Sequence, residues 1–502
     1  MRLFFMSSGR ARVRLVQAGA ALTAAALIAG CGNSYRPVVT PINSSGPSAQ
    51  PTSYAVVVSA PSNTSPGIAT IIDYAGDTVM AVAPLGPGPI SFTMDSLGST
   101  GYTINRDGTL TNFPITTSLQ AKMVIYTTLS STSKPVNLFS PSSGLWAPDL
   151  TGNLIDVFSG SPQTFKLAIP TAPTPILVAG SPSLQGQREY VISQNFTDAT
   201  GVACNTSPTT APNGVATPIE LSSFSADAAI TVGKCPVYAV QSPDQRRLFV
   251  LNRGDDTISV INIQNNTLDS CLPYKNQNGQ TVTCHPTLPL STAAVNATGI
   301  TPPNGTSGMG TTAGPVFAEF NQTTNQLVVA NYDGGTISVI DVSLDEYGND
   351  SANFGTTYTI PVGRNPASVT VLYDGTRAYT ANQSDGTVTI ANLSSHTVVK
   401  TLTVVGHPRT IASTQNSQYG KVYVASTDSP YLTIVSTLTD LVDTTVLVEG
   451  NVVDMRVSTQ NGSSGNSMMT SRAAGHGQPC TLPPGSAALP ATLTLTACQM
   501  IP

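Results

Sequence analysis

The chain has 502 residues, a net charge of −5 and only 10% charged residues, against roughly 25% in an ordinary globular domain. Such an acidic, charge-poor chain is a poor match for nucleic acid, whose affinity comes mainly from Lys and Arg set on phosphates. Ser, Thr, Asn and Gly supply the polarity instead, which suits tightly stacked sheets with polar, uncharged turns.

The N-terminus reads as a targeting segment. Arg2, Arg10, Arg12 and Arg14 precede or open an apolar run that extends to Gly30, the pattern of a signal peptide over residues 1–30 rather than a stable membrane span. The run ends Leu27-Ile28-Ala29-Gly30-Cys31, which resembles a bacterial lipobox. The resemblance implies cleavage before Cys31 and attachment to the membrane through lipid on that residue. Gly32, rather than Asp, follows the cysteine, so by analogy with sorting in proteobacteria the outer membrane is favoured. Loss of the leader removes four Arg and no acid, which takes the charge from −5 to −9. Residues 31–52 are rich in Pro, Ser and Gly and read as a tether.

From Tyr54 onward, short strand-like runs follow one another between turn residues. The first are residues 54–59, 68–74 and 78–82. Three degenerate groups of four runs come next, over residues 89–128, 136–169 and 175–232, the last with an insertion near 195–214. Four clearer groups begin at Gly233, Gly314, Gly363 and Gly406. The group at Gly363 shows the pattern best: runs at 367–372, 377–381, 387–392 and 397–405, separated by Asp374-Gly375, Ser384-Asp385-Gly386 and Ser394-Ser395. Asp-Gly supplies the positive φ of a tight hairpin, and Thr387-Val388-Thr389-Ile390 alternates with period 2 as a half-buried strand does. Gly363, Gly406 and Gly450 are spaced by about 43–44 residues.

A four-stranded antiparallel unit at that period predicts an all-β fold, a β-propeller. No single unit can bury both faces of its sheet, whereas a ring of units can. The count gives eight blades; merging two weak units would give seven. The first runs resemble the third and fourth strands of a unit, so the ring is expected to close by pairing them with C-terminal residues 452–458 and 467–472, which removes two open edges. The propeller is thus assigned to residues 53–475, with an irregular tail over 476–502. A long insertion at 264–313 is read either as a tolerated surface excursion or as a cover for one face or a partner contact.

The four clear units resemble the YVTN-type β-propeller repeat family. The resemblance rests on residues 248–252 with 257–262, 327–331 with 336–341, and 377–382 with 387–392, and on the Asn that precedes each turn: Asn252, Asn331 and Asn382. The unit at Gly406 departs from it, with Ser426 at that place. The resemblance covers about half the chain and implies a propeller outside the cytoplasm. It implies no single activity, because the fold hosts many.

Six cysteines remain after Cys31, an even number that suits disulfides in an exported chain. Proximity favours Cys204–Cys235, Cys271–Cys284 and Cys480–Cys498. No C-x-x-C is present, so neither a metal site nor attached haem is expected, and no cofactor is assigned.

The segments leading into the innermost strands lie near a propeller's axis. Here they carry Lys234, Arg364, Asn365, His407 and Arg409, which could together receive a small anionic ligand in a funnel. Asn252, Asn331 and Asn382 are read as turn caps bonding backbone, and Asp255, Asp256, Asp333 and Asp385 as turn acids rather than calcium ligands. The tripeptide Arg253-Gly254-Asp255 falls where every repeat has a turn and is given no adhesive role. The four His do not converge, and no G-x-S-x-G, H-E-x-x-H or phosphate loop occurs, so no catalytic residue is assigned. The expected function is a non-enzymatic, lipid-anchored scaffold of the cell envelope that binds a ligand or an envelope protein. A lactonase-like hydrolase using the axial funnel is the alternative.

Overall fold

The computed structural model describes residues 53–458, apart from short internal stretches of which the longest are 181–187, 197–203, 205–210 and 291–311. Eight small antiparallel sheets follow one another around an axis, so the fold is an eight-bladed β-propeller. Blade 1 joins Tyr54–Ala60, Pro66–Asp73 and Thr78–Pro87 to Asn451–Val457, which supplies its inner strand. The expected closure by residues 452–458 therefore holds, with three strands from the N-terminal side and one from the C-terminal side. Residues 467–472 and the pair Cys480–Cys498 lie outside the described residues.

Blades 2, 6, 7 and 8 are regular four-stranded meanders, with inner strands Pro89–Met94, Pro315–Asn321, Pro366–Val371 and Pro408–Ser413. Blade 3 is looser. Residues 136–140, expected as its inner strand, and Pro135 before them meet the second strand Leu145–Asp149 only through the bridges Pro135–Asp149 and Phe139–Trp146. The outer strand of blade 4 is broken into Ser225–Ala226 and Ile230–Lys234, both pairing with Asn213–Glu220. In blade 5 the outer strand is split into Thr267–Leu268 and Thr287–Pro289, with an excursion between them that forms its own hairpin, Tyr274–Lys275 with Thr281–Val282. Cys271–Cys284 closes this excursion and Cys204–Cys235 anchors the start of blade 5, as proximity had suggested.

Seven inner segments begin with proline: Pro89, Pro135, Pro175, Pro236, Pro315, Pro366 and Pro408. Proline at the first position of a strand costs no ladder bond and pins the chain as it turns in toward the axis. The asparagines have a different partner from the one expected. Asn252, Asn331 and Asn382 are fully buried, and their Nδ2 groups donate not to turn backbone but to two hydroxyls of the third strand, such as Thr387 and Thr389 at 3.1 and 2.8 Å. This clamp explains a glycine of the repeat. A Cβ on Gly363 would come within 2.6 Å of the Asn382 carboxamide, and Gly233 stands in the same relation to Asn252. Blade 8 has Ser426 instead of Asn, and its hydroxyl donates to the carbonyl of Val405, which stands where blades 5 and 7 have Gly.

The blades pack through apolar sheet faces, reinforced by aromatic pairs such as Tyr238–Phe317 between blades 5 and 6 and Tyr74–Tyr423 between blades 1 and 8. A repeated polar contact accompanies them. A cation at the start of the second strand and an aromatic residue two positions later reach the hairpin between the third and outer strands of the next blade. Arg377 binds Asp440, also the partner of the Tyr379 hydroxyl. Lys421 binds Asp77 at 2.7 Å, and the Tyr423 hydroxyl meets the same carboxylate at 3.2 Å. Tyr190 donates to Asn266 of blade 5. Arg247 reaches Asp350 of blade 6 at 3.2 Å.

One buried group stands apart from these pairings. Glu189 is fully buried in the second strand of blade 4, and neither carboxylate oxygen has a hydrogen-bond partner among the described residues. It occupies space left by Gly180, where a Cβ would lie 1.5 Å from Oε2. Burial raises its carboxyl well above the usual carboxylate range. The folded state therefore retains a proton that the unfolded state releases above about pH 4.5, and stability falls as pH rises from there. Glu189→Gln should remove this part of the slope and raise stability at neutral pH relative to the wild type. Urea midpoints of both proteins from pH 4.5 to 7.5 check it.

Candidate functional site

The upper face is the end of the ring where inner strands begin and where the turns between second and third strands sit. Backbone bonds fix this geometry in blades 5 and 7: the Gly254 and Arg253 amides donate to the Lys234 and Cys235 carbonyls, and those of Ser384 and Gln383 to Arg364 and Asn365. All five predicted site residues stand on this face, four of them on blades 7 and 8 and Lys234 at the end of the outer strand of blade 4, where the chain enters blade 5.

Lys234, Arg364 and His407, which precede inner strands, each meet an acid 21 residues downstream. The Lys234 amide donates to Asp255 at 3.0 Å, the Arg364 amide to Asp385 at 2.8 Å and the His407 amide to Asp428 at 2.8 Å. For two of them the side chain joins in: Arg364 Nε lies 2.5 Å from Asp385, and His407 Nδ1 lies 2.5 Å from Asp428. Burial pushes the Asp428 carboxyl up, but the hydrogen bonds and charge of His407 outweigh that and leave it below its ordinary value. The turn acids are thus caps of the inner-strand start, consistent with their reading as turn residues.

Asn365 is held at φ 53° in the left-handed region that Asn tolerates. Its amide donates to the Tyr332 carbonyl of blade 6, and Ser384 donates to its oxygen at 2.6 Å. Tyr332 in turn donates to Gln383, while Arg253 pairs with Asp333 at 2.8 Å and lies over the Tyr332 ring. The turns of blades 5, 6 and 7 are therefore tied into one polar rim, and Arg253, spelled into the adhesion tripeptide, is used within it.

Arg409 stands deeper, at the second position of an inner strand. Burial lowers its guanidinium to about 10, opposed by the charge of Asp454 in blade 1, so it stays a cation at neutral pH. Below it the inner strands are joined across blades. Glu319 accepts from the Val371 amide at 3.3 Å, Thr370 shares its hydroxyl with Ser413, Arg456 donates to the Phe92 carbonyl and Ser91 donates to Asn137. Glu319 and Arg456 face one small cavity with Phe317, Thr410, Ala412 and Met455, with room for water-sized molecules rather than a sugar-sized ligand. Sequence reasoning named Arg409 but not Arg456, Asp454 and Glu319, which lie in the inner strands themselves.

No protein-family model matches the chain, and no curated protein matches it. Solved structures do. The dihydro-heme d1 dehydrogenase NirN in complex with DHE is 14% identical, with a TM-score of 0.56 over 83% of this chain and 79% of that one. Apo AztD from Citrobacter koseri is 12% identical, with a TM-score of 0.52 over 82% of this chain and 98% of that one. The periplasmic gluconolactonase PpgL of Pseudomonas aeruginosa is 14% identical at a TM-score of 0.46, covering 81% and 99%. The likeness is one of fold. At these identities it extends to the propeller and to no activity.

Proposed function

We propose that this propeller is a non-enzymatic binding scaffold of the cell envelope, lipid-anchored through Cys31, that receives a small anionic ligand or an envelope protein on its upper face. The observation that carries the reading is the state of the upper rim. Arg364, His407 and Asn365 are already held in place by Asp385, Asp428, Tyr332 and Ser384, so a partner meets donors and acceptors whose positions are fixed in advance. Such preorganisation lowers the ordering cost of binding. The Arg409 cation at the mouth of the axis gives the rim a preference for anions.

The test is a thermal-shift screen of the exported chain carrying Cys31→Ser. It is run against metals, sugar acids, lactones, phosphates and cell-wall fragments, beside the same chain with Arg364→Ala, His407→Ala and Arg409→Ala. A ligand at 100 times its Kd should stabilise the parent by about 2.7 kcal/mol and leave the triple variant unmoved. Equal stabilisation of both would remove the upper rim from the proposal. Turnover of a lactone would replace the scaffold with the hydrolase alternative. Membrane fractionation of the full chain against Cys31→Ser checks the anchor, which requires the wild type to sediment with membranes and the variant to be released.

A further inference from the structure

The seam between blades 5 and 6 differs in charge from those between blades 7 and 8 and between blades 8 and 1. Arg377 faces Asp440, and Lys421 faces Asp77, one cation to one acid. Arg247, only 2% exposed, faces two buried carboxylates: Asp350 from the blade 6 hairpin at 3.2 Å and Asp269 from the blade 5 excursion at 3.3 Å. The contact with Asp269 lacks hydrogen-bond geometry, and Asn262 donates to the other Asp269 oxygen at 3.2 Å. On the far side of Asp350 sits His285, also from the excursion, with Nδ1 at 2.9 Å and its amide at 3.1 Å from the same carboxylate oxygen. The His285 ring stacks on Phe354 of blade 6. Cys284, next to it, is tied to Cys271, two residues beyond Asp269. The two acidic and imidazole contacts therefore bracket the disulfide-closed loop and fix both of its ends to one arginine–aspartate pair.

With His285 neutral, one guanidinium and two carboxylates leave an excess negative charge out of water. Two adjacent buried carboxylates do not both ionise cheaply, and one proton relieves them. We propose that this cluster is a proton-operated latch: uptake of one proton, shared by Asp269 and Asp350, fixes the two ends of the excursion, Asp269–Cys271 and Cys284–His285, onto blade 6, and its loss loosens them. A protonated Asp269 can donate to Asp350, which puts a hydrogen bond in place of a repulsion between two carboxylates. The remaining ionisable neighbours are Arg246, whose guanidinium lies against Gly348, and Tyr274 and Asp345, which border Asp350 from the excursion and the hairpin. Burial, and then the charge of Asp350, raise the Asp269 carboxyl to about 6. A raised acid favours the closed form as pH falls through that value and disfavours it above.

Amide exchange of the full chain, corrected for intrinsic rates, reads the latch at the two ends of the excursion, with strand Thr387–Asn392 as internal control. Wild type should show about tenfold greater protection of these ends at pH 5 than at pH 8, and no pH effect in the control strand. The rise from 3.8 to about 6 caps the change at roughly a hundredfold. Asp269→Asn, which keeps the shape and removes the titration, should be protected at both pH values. Equal protection of wild type at both pH values would overturn the latch. So would an undiminished pH difference in Asp269→Asn, and its abolition in His285→Gln alone would move the proton to the imidazole and refute the carboxylate pair.

Discussion

Arg247→Met should destabilise the propeller by about 3–5 kcal/mol, the usual effect of removing one partner from a buried ionic cluster. The variant would leave Asp269 and Asp350, respectively 2% and 0% exposed, without their cation. It would also free the loop carbonyl of Gly348, which Arg247 reaches at 3.3 Å. The loss has a pH signature. Asp269 is protonated below about 6, so one of the two stranded charges disappears there, and the deficit should be smaller at pH 5 than at pH 8. Arg377→Met supplies the comparison. Its pair with Asp440 is 23% and 15% exposed, so solvent screens it and the deficit should be clearly smaller. Urea denaturation of both variants at the two pH values measures all four numbers. An Arg247→Met protein as stable as Arg377→Met at pH 8 would contradict the burial argument.

Much of the ring could be read from the chain because the repeat is local. Asp-Gly turns and period-2 runs delimit strands within about ten residues of one another, and the count of eight units follows from them. The two bridged cysteine pairs were reachable for the same reason, since Cys271 and Cys284 are 13 residues apart and Cys204 and Cys235 are 31 apart. Two further signals were present in the sequence and went unused. Arg188-Glu189-Tyr190, Arg247-Leu248-Phe249, Arg377-Ala378-Tyr379 and Lys421-Val422-Tyr423 repeat a cation followed two residues later by an aromatic; all but Arg188, which pairs within its own blade, reach the next blade. An acid 21 residues after Lys234, Arg364 and His407 marks the partner of each. The partners across blades were not legible. Asp440 lies 63 residues from Arg377, and Asp77 lies 344 residues from Lys421, and only ring closure brings the latter pair together.

Ring closure is also where the largest loss is expected. A chain ending at Gly450 lacks Asn451–Val457 and should not unfold cooperatively, whereas one ending at Ser458 should. The inner strand of blade 1 buries Val452, Met455 and Val457 to within 5% of complete burial. At roughly 1.5–3 kcal/mol per buried side chain these alone contribute about 5–9 kcal/mol, comparable to the total stability of many domains. The shorter chain also loses the Arg456 bond to the Phe92 carbonyl that ties blade 1 to blade 2, and the bond from the Tyr74 hydroxyl to the Ser458 carbonyl at 2.9 Å. It leaves Tyr54–Ala60 as a seven-residue edge, buried at every position in the closed ring and open to pairing with another chain. Calorimetry and sedimentation of the two truncations distinguish the outcomes. The chain ending at Ser458 should give one sharp transition as a monomer, and the chain ending at Gly450 a broad one with self-association. A sharp monomeric transition in both would mean that the seams between blades 1 and 8, through Lys421 and Asp77, hold the ring without the strand that closes it.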